Sequence, residues 1–439
     1  MKKPNVIWFV CDQMRGQATG YNGDPNVFTP NLDNMSICGA AFTQAVSGYP
    51  LCCPFRASML TGRYAHNHSV KIHEDKLENS YQIIADVFNE HDYETIYLGK
   101  WHLAGMKESE GRTVTRTVAR EDRMRFDTWI GYENNNSQWD CYLHGHEGDQ
   151  EVPHFKVIDY ETDALTDMAL QRIQARKDSD KPFFMVVSVQ PPHVPCLAPP
   201  EHRHYQAQQL ELRPNVPVKE IARTRIDLSG YYAQIENIDH NVGRIMDLLR
   251  AEEMINDTHL IFFSDHGDQM GSQGAYGKCV PYEESARVPF LMGGGEPMNY
   301  YKIAGKNNCL LNHVDIAPTT LGLCGIATPD WMEGFDYSHR RTGVNYADRI
   351  HEEPDSAFLQ LIGDRESGYA WRCVVTRDGW KYAAVRGGGH WLMYNLNDDP
   401  YEQTNLAFNT WYYKKRCELK ALLQDWITKT GDDFPLPSD

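Results

Sequence analysis

Five short apolar runs stand out along the chain, at residues 6–10, 95–98, 183–189, 260–263 and 288–292. They are nearly continuous rather than alternating, which predicts strands covered on both faces, as in the middle of a mostly parallel sheet. Between them the apolar spacing lengthens to that of helices. Ser80 is placed to cap a helix carrying Ile83, Ile84, Val87 and Phe88 on one face. Leu165, Met168, Ala169 and Ile173 mark a second helix. A third spans residues 229–251, with Ile235, Ile238, Val242, Ile245 and Leu249 in one stripe. Strands alternating with helices predict an α/β layered fold. From about Ile350 the pattern changes. Residues 371–376, 381–385 and 391–396 read as antiparallel strands, with a glycine-rich hairpin turn at 386–389. An amphipathic helix with Leu419, Leu422, Leu423 and Trp426 follows. The expected division is an α/β domain over residues 1–348 and a small subdomain over residues 349–439, of antiparallel strands plus a terminal helix.

The length of 439 residues suits that division, and 41% hydrophobic residues sustain a core. The net charge of -17 has the wrong sign for a nucleic-acid or anionic-membrane binder, so neither partner is expected. An anionic substrate would need local cations or a metal. No apolar run is long enough to span a bilayer. The first apolar run is short and leads to Asp12 and Arg15 without a small-residue cleavage site. Eleven cysteines, odd in number and scattered, fit a reducing compartment. The expected location is the cytoplasm, or the periplasm if a leader has been removed.

In open α/β sheets, ligands gather beyond the carboxyl ends of the strands. Here four apolar runs end in polar, ionisable groups: Asp12-Gln13, then Lys100-Trp101-His102, then His193, then Asp265-His266-Gly267-Asp268. Any one of these reads as a loop or cap; four together do not. A fifth segment runs from Leu51 to Arg63. Pro54 suits a first helical turn and Gly62 a helix end. Cys52 then lies at a helix N-terminus, where the dipole favours a negative atom, with Arg56 one turn on. Spacing alone leaves two readings equally open, an activated nucleophile and a buried cysteine beside a structural arginine.

Cys52-x-Pro54-x-Arg56 followed by Leu60-Thr61-Gly62-Arg63 resembles the signature of the formylglycine-dependent sulfatases, within the alkaline phosphatase superfamily. Thr29-Pro30-Asn31-Leu32-Asp33, Gly99-Lys100-Trp101-His102, Pro192-His193-x-Pro195, Ser264-Asp265-His266-Gly267 and Gly277-Lys278 resemble further motifs of that family, in order. The resemblance covers nearly the whole chain and is weakest over residues 108–155. It implies an alkaline phosphatase-like fold, with a large central, mostly parallel mixed sheet flanked by helices. It implies hydrolysis of a sulfate monoester, aryl or carbohydrate, by formylglycine made from Cys52 by a formylglycine-generating enzyme. It implies one divalent metal held by Asp12, Gln13, Asp265, His266 and the modified Cys52. Gln13 and His266 replace the Asp and Asn of many members. Hard oxygen ligands suit Ca²⁺ or Mg²⁺, with Ca²⁺ the first choice, and the imidazole admits Mn²⁺. The catalytic residues implied are Cys52, Arg56, Lys100, His102, His193 and Lys278. A phosphonate monoester or phosphodiester hydrolase using the same site is the alternative.

Other residues read as structural. Cys11 and Cys53 suit the core, Asp268 a turn or a supporting contact, and His144 and His146 lack partnered ligand spacing. Trp129, Tyr132, Trp139 and Tyr142, among Asn134, Asn135 and Asn136, suit either packing of a long loop or a sugar pocket, with packing preferred. Arg372, Arg377, His390 and Trp391 are candidates for the pocket border.

Overall fold

The structure, a computed structural model, describes residues 3–294, 304–363 and 369–438. Ten strands form one sheet: β1 (Asn5–Asp12), β2 (Ala40–Phe42), β3 (Glu94–Lys100), β4 (Thr128–Tyr132), β5 (Tyr142–Glu147), β6 (Gln150–Lys156), β7 (Phe183–Pro192), β8 (Thr258–Ser264), β9 (Phe290–Gly294) and β10 (Gly305–Asn307). Their spatial order is β10-β2-β9-β8-β1-β7-β3-β4-β5-β6. The central β8-β1-β7-β3-β4 portion is parallel, while β9, β5 and β6 pair antiparallel with their neighbours. The run at 288–292 is therefore an antiparallel strand and starts at Phe290.

The central strands are apolar on both sides because both sides are covered. In β1, Val6, Trp8 and Val10 enter one core with Phe55, Met59 and Leu60 of α2 (Cys52–Thr61) and Ile84 and Phe88 of α3 (Ile84–Glu90). Ile7, Phe9 and Cys11 enter the other. That core holds Leu32 of α1 (Pro30–Cys38), Leu165 of α4 (Glu161–Gln174) and Ile235 and Val242 of α5 (Ile221–Ala251). The long helix thus begins eight residues before the predicted start. Ser80 does not cap α3. Its first turn is closed by Asp86, whose carboxylate accepts from the Ile83 N–H at 2.7 Å, and a carboxylate suits the positive end of the dipole.

A second sheet of four antiparallel strands, β11 (Ser356–Leu361), β12 (Trp371–Thr376), β13 (Trp380–Val385) and β14 (Gly389–Asn395), follows in sequence order. One face packs on Val46, Tyr49 and Leu51, just ahead of α2. The other packs on Leu419, Leu423 and Ile427 of the helix Tyr413–Thr430. Lys381 of β13 is fully buried and gives its ammonium to Glu283 Oε1, Glu402 Oε1 and the Pro281 carbonyl, each at 2.7 Å. Among the described residues no helix is long and apolar enough to cross a membrane, and every cysteine is free.

Candidate active site

The carboxyl edge of β1, β3, β7 and β8 meets the N-terminus of α2. Leu51 precedes α2 in extended conformation, Cys52 is its first residue, and Gly62 ends it with φ 64°. Asp12 closes β1, and Gln13 turns the chain away in a left-handed conformation, φ 71°. His102, two residues past β3, is also left-handed, φ 58°. Such non-glycine outliers hold only where the surroundings over-determine them. Glu133 does this beyond β3, its carboxylate accepting from the N–H groups of Leu103 at 3.2 Å and Ala104 at 3.0 Å.

Cys52 Sγ lies 3.1 Å from His266 Nε2, 3.0 Å from Lys278 Nζ and 3.7 Å from Asp12 Oδ1. Arg56 is wholly buried. It donates to Asp12 Oδ2 at 3.1 Å, Asp265 Oδ2 at 3.3 Å, Ser188 Oγ at 2.8 Å and the Lys100 carbonyl at 3.1 Å. Lys100 Nζ reaches Asp12 Oδ2 at 2.7 Å. Lys278 Nζ also reaches Gln13 Oε1 at 2.8 Å, and Gln13 Nε2 donates to Asp268. Removing one partner of the wholly buried Asp12, Arg56 and Lys100 contacts typically costs about 3–5 kcal/mol, because the remaining charge stays buried and unpaired, whereas Lys278 is only partly buried.

Burial alone would raise the Cys52 thiol, but Lys278, His266 and Lys100 outweigh it and hold it well below the ordinary thiol range. Burial also opposes ionisation of Asp12, yet Lys100 and Lys278 keep its carboxyl well below normal. Asp265 is pushed up to about 6, first by burial and then by the Asp12 charge. Burial and the Lys278 charge lower His193 to about 3; burial and Lys100 do the same for His102. Both imidazoles are therefore neutral near pH 7. His193 Nδ1 lies 2.8 Å from the Val194 carbonyl, which places its N–H on Nδ1 and turns the lone pair of Nε2 away from that carbonyl.

The ligand atoms of Asp12, Cys52, Asp265 and His266 all lie within 4.8 Å of one another, and all four residues are buried. Two carboxylates this close repel, as the raised Asp265 shows. A divalent cation relieves that repulsion, so the donor set fits one. His266 Nδ1 sits 3.0 Å from the Gly267 carbonyl, which leaves Nε2 facing the cluster.

The predicted catalytic and metal-ligating residues thus come to one edge: Asp12, Gln13, Cys52, Arg56, Lys100, Asp265, His266 and Lys278 are joined by direct contacts. His193 and His102 lie within the same electrostatic field, each acting on the Cys52 or Asp12 charge. Three residues support the site, and two of them, Ser188 and Trp371, had no sequence signal of this role. Ser188 binds Arg56 from inside an apolar strand. Asp268, read as a turn or support residue, orients Gln13 and accepts from the Gly277 N–H at 2.9 Å, fixing the loop that carries Lys278. Trp371 of β12 donates from Nε1 to the Cys279 carbonyl at 2.9 Å, bracing the same loop from the second sheet.

The expected pocket aromatics divide. Trp129 and Tyr132 belong to β4 and are fully buried, Tyr132 donating to Glu161 at 2.6 Å. Trp139 and Tyr142 reach the surface. Trp129, Tyr132 and Tyr142 lie in strands, while Asn134, Asn135, Asn136 and Trp139 lie in the connection at 133–141, and packing accounts for the first pair. Arg372 is buried against Asp432 at 2.9 Å, and Arg377 pairs with Glu353 at 3.2 Å, so both serve the second sheet. His144 and His146 bond to backbone at Val118 and Phe126.

The chain matches the family model described as Sulfatase over residues 4–326, and the model described as N-sulphoglucosamine sulphohydrolase, C-terminal, over residues 271–429. An ulvan-active sulfatase of Formosa agariphila is 33% identical over 98% of this chain and 82% of its own length. A Bacteroides fragilis structure described as a sulfatase superposes with TM-score 0.86 at 26% identity, covering 99% of this chain and 97% of that one. A complex of BT4656 with its substrate D-glucosamine-2-N,6-O-disulfate superposes with TM-score 0.78 at 21% identity, covering 98% of this chain and 99% of that one, and shares the fold.

Proposed function

Because this chain belongs to the sulfatase family and is a sulfuric ester hydrolase, we propose that it cleaves a saccharide sulfate monoester with formylglycine derived from Cys52. The observation that carries this is the position of Cys52: at a helix N-terminus, 3.0 Å from Lys278 and 3.1 Å from His266. A nucleophile there sits among cations that also fit sulfate oxygens. The saccharide assignment draws on the ulvan-active sulfatase among the relatives and on the structural neighbour in complex with D-glucosamine-2-N,6-O-disulfate.

Asp12, Asp265, His266 and Gln13 would hold one divalent metal, Ca²⁺ first by the hardness of its oxygen donors, which supplies Lewis-acid stabilisation of charge on the sulfate. Formylglycine, made by a formylglycine-generating enzyme, supplies a geminal diol whose first hydroxyl displaces the alcohol from sulfur and whose second lets the aldehyde re-form and expel sulfate. The chain's own residues do the rest. Arg56 holds Asp12 and Asp265 ionised and in place. Lys100 and Lys278 take the sulfate oxygens and neutralise charge in the transition state. His193 is neutral in the free site because burial and Lys278 depress it. A bound sulfate offsets the Lys278 charge, so His193 gains a proton on Nε2 and passes it to the departing alkoxide. His102, neutral and beside Cys52, accepts the proton of the second hydroxyl.

The test is the mass of the tryptic peptide containing Cys52, from protein produced with a formylglycine-generating system, together with turnover of matched aryl sulfate and aryl phosphonate esters. The aldehyde or its hydrate and a preference for sulfate are expected. A thiol under conditions that convert a control sulfatase would sink the mechanism, and a strong phosphonate preference would replace the substrate class.

A further inference from the structure

Four large apolar side chains are exposed within one short stretch: Phe408 (69%), Trp411 (93%), Tyr412 (37%) and Tyr413 (50%). A run of this kind on a soluble surface usually marks an interaction site. The stretch is held in shape. Asn409 Oδ1 accepts from the Trp411 N–H at 3.0 Å, and Arg416 donates to the Ala407 carbonyl at 2.5 Å. It is continuous with the second sheet, since the Tyr412 and Trp380 ring centroids are 6.0 Å apart. Cations lie over the same rings: Lys415 Nζ is 5.4 Å from the Trp380 centroid and the Arg416 guanidinium 5.2 Å from that of Tyr413. Residues 414–420 hold Lys414, Lys415, Arg416 and Lys420 against one carboxylate, Glu418, in a chain whose net charge is -17.

We propose that this surface is a non-catalytic site for a sulfated polysaccharide chain, resting on the saccharide-sulfate reading of the active site. The chemistry fits each part of such a ligand. Flat exposed rings stack on the apolar faces of sugars, and tyrosine hydroxyls serve sugar hydroxyls. Lysine and arginine pair with sulfate groups. The overall negative charge repels a polyanion at long range, so capture depends on short-range stacking joined to this local cationic run. A bilayer surface is the poorer partner. The exposed side of the helix Tyr413–Thr430 carries Lys414, Glu418, Gln424 and Asp425, with no apolar face to embed.

The full chain is tested by native electrophoresis through gels containing dextran sulfate or unsulfated dextran. Wild type is expected to be retarded by the sulfated polymer alone. Trp411→Ala/Tyr413→Ala and, separately, Lys414→Glu/Lys415→Glu are expected to weaken retention about tenfold, the size of losing one stacked ring. Turnover of an aryl sulfate is expected to stay within about twofold of wild type in both variants. Equal retardation of variants and wild type overturns the site and assigns polymer binding to the catalytic edge. Two other results also overturn it: vesicle binding that the aromatic variant loses while dextran sulfate retention is unchanged, and a dimer that the same variant converts to monomer. Absence of aryl sulfate turnover in every protein, with retention changing as expected, rejects the catalytic reading and leaves the surface site standing.

Discussion

Lys381 and Lys278 each lie among acidic groups, and burial works against both ammonium groups while their neighbours raise them above the ordinary lysine range. Their surroundings differ in one respect. Lys381 has three N–H donors and three acceptors at 2.7 Å, a closed set. Around Lys278 the set is open. Among the described residues its acceptors are Gln13 Oε1 and Cys52 Sγ, and nearby Arg56 Nε and His102 Nδ1 are buried without a hydrogen-bond partner. A buried charge is thus no mark of function by itself. A buried charge with bonding capacity in reserve is, because a substrate can complete it.

The largest expected effect tests the open cluster at its nucleophile. Cys52→Ser lacks the second hydroxyl of the diol, so it should transfer sulfate at most once. Repeated turnover should fall by about 10⁴-fold or more, and intact-protein mass should show a sulfated serine; normal steady-state rates would refute the mechanism. Lys278→Ala removes one donor from the reacting sulfate and should lower kcat by about 10²–10³-fold with little change in denaturant midpoint. Lys381→Met reverses that pattern. It strands Glu283 and Glu402 in the interior and should cost about 3–5 kcal/mol of stability in urea titration, while kcat per folded molecule changes little. Comparable losses of kcat in the two lysine variants would erase the distinction. The smallest effect is in pH. Arg287 and Lys381 outweigh burial and depress Glu283 from 4.5 to about 2. The stability it contributes is present above pH 4.5 and is lost as pH falls toward 2, so the gap in urea midpoint between wild type and Lys381→Met should narrow over that range.

The closed and open clusters were not equally legible. Asp12, Lys100, His193 and Asp265 could be found because each follows an apolar run, and a strand that ends in Asp, Lys or His presents it at the carboxyl edge whatever the rest of the chain does; Cys52, Arg56 and Lys278 were found through the motifs they share with the family. Glu283, Lys381 and Glu402 follow no such rule. They meet only once the second sheet docks, as do Ser188 with Arg56 and Trp371 with Cys279. Strands were legible where both faces are apolar, as in β1 and β7. They were missed where the pattern is polar, as in β6 with its exposed Gln150, Glu151 and Lys156, or too short to show a period, as in β2 and β10. The start of α5 was placed late because Arg223, Arg225 and Asp227 dilute its first turns.

The hydrogen bond from the Trp371 indole to the Cys279 carbonyl means that the second sheet is no detachable appendage. Its rigidity is part of the aim of a lysine in the first. Gentle heating that loosens β12 should therefore silence the enzyme while the large sheet still holds, and grafting that sheet between relatives would retune catalysis without touching a catalytic residue.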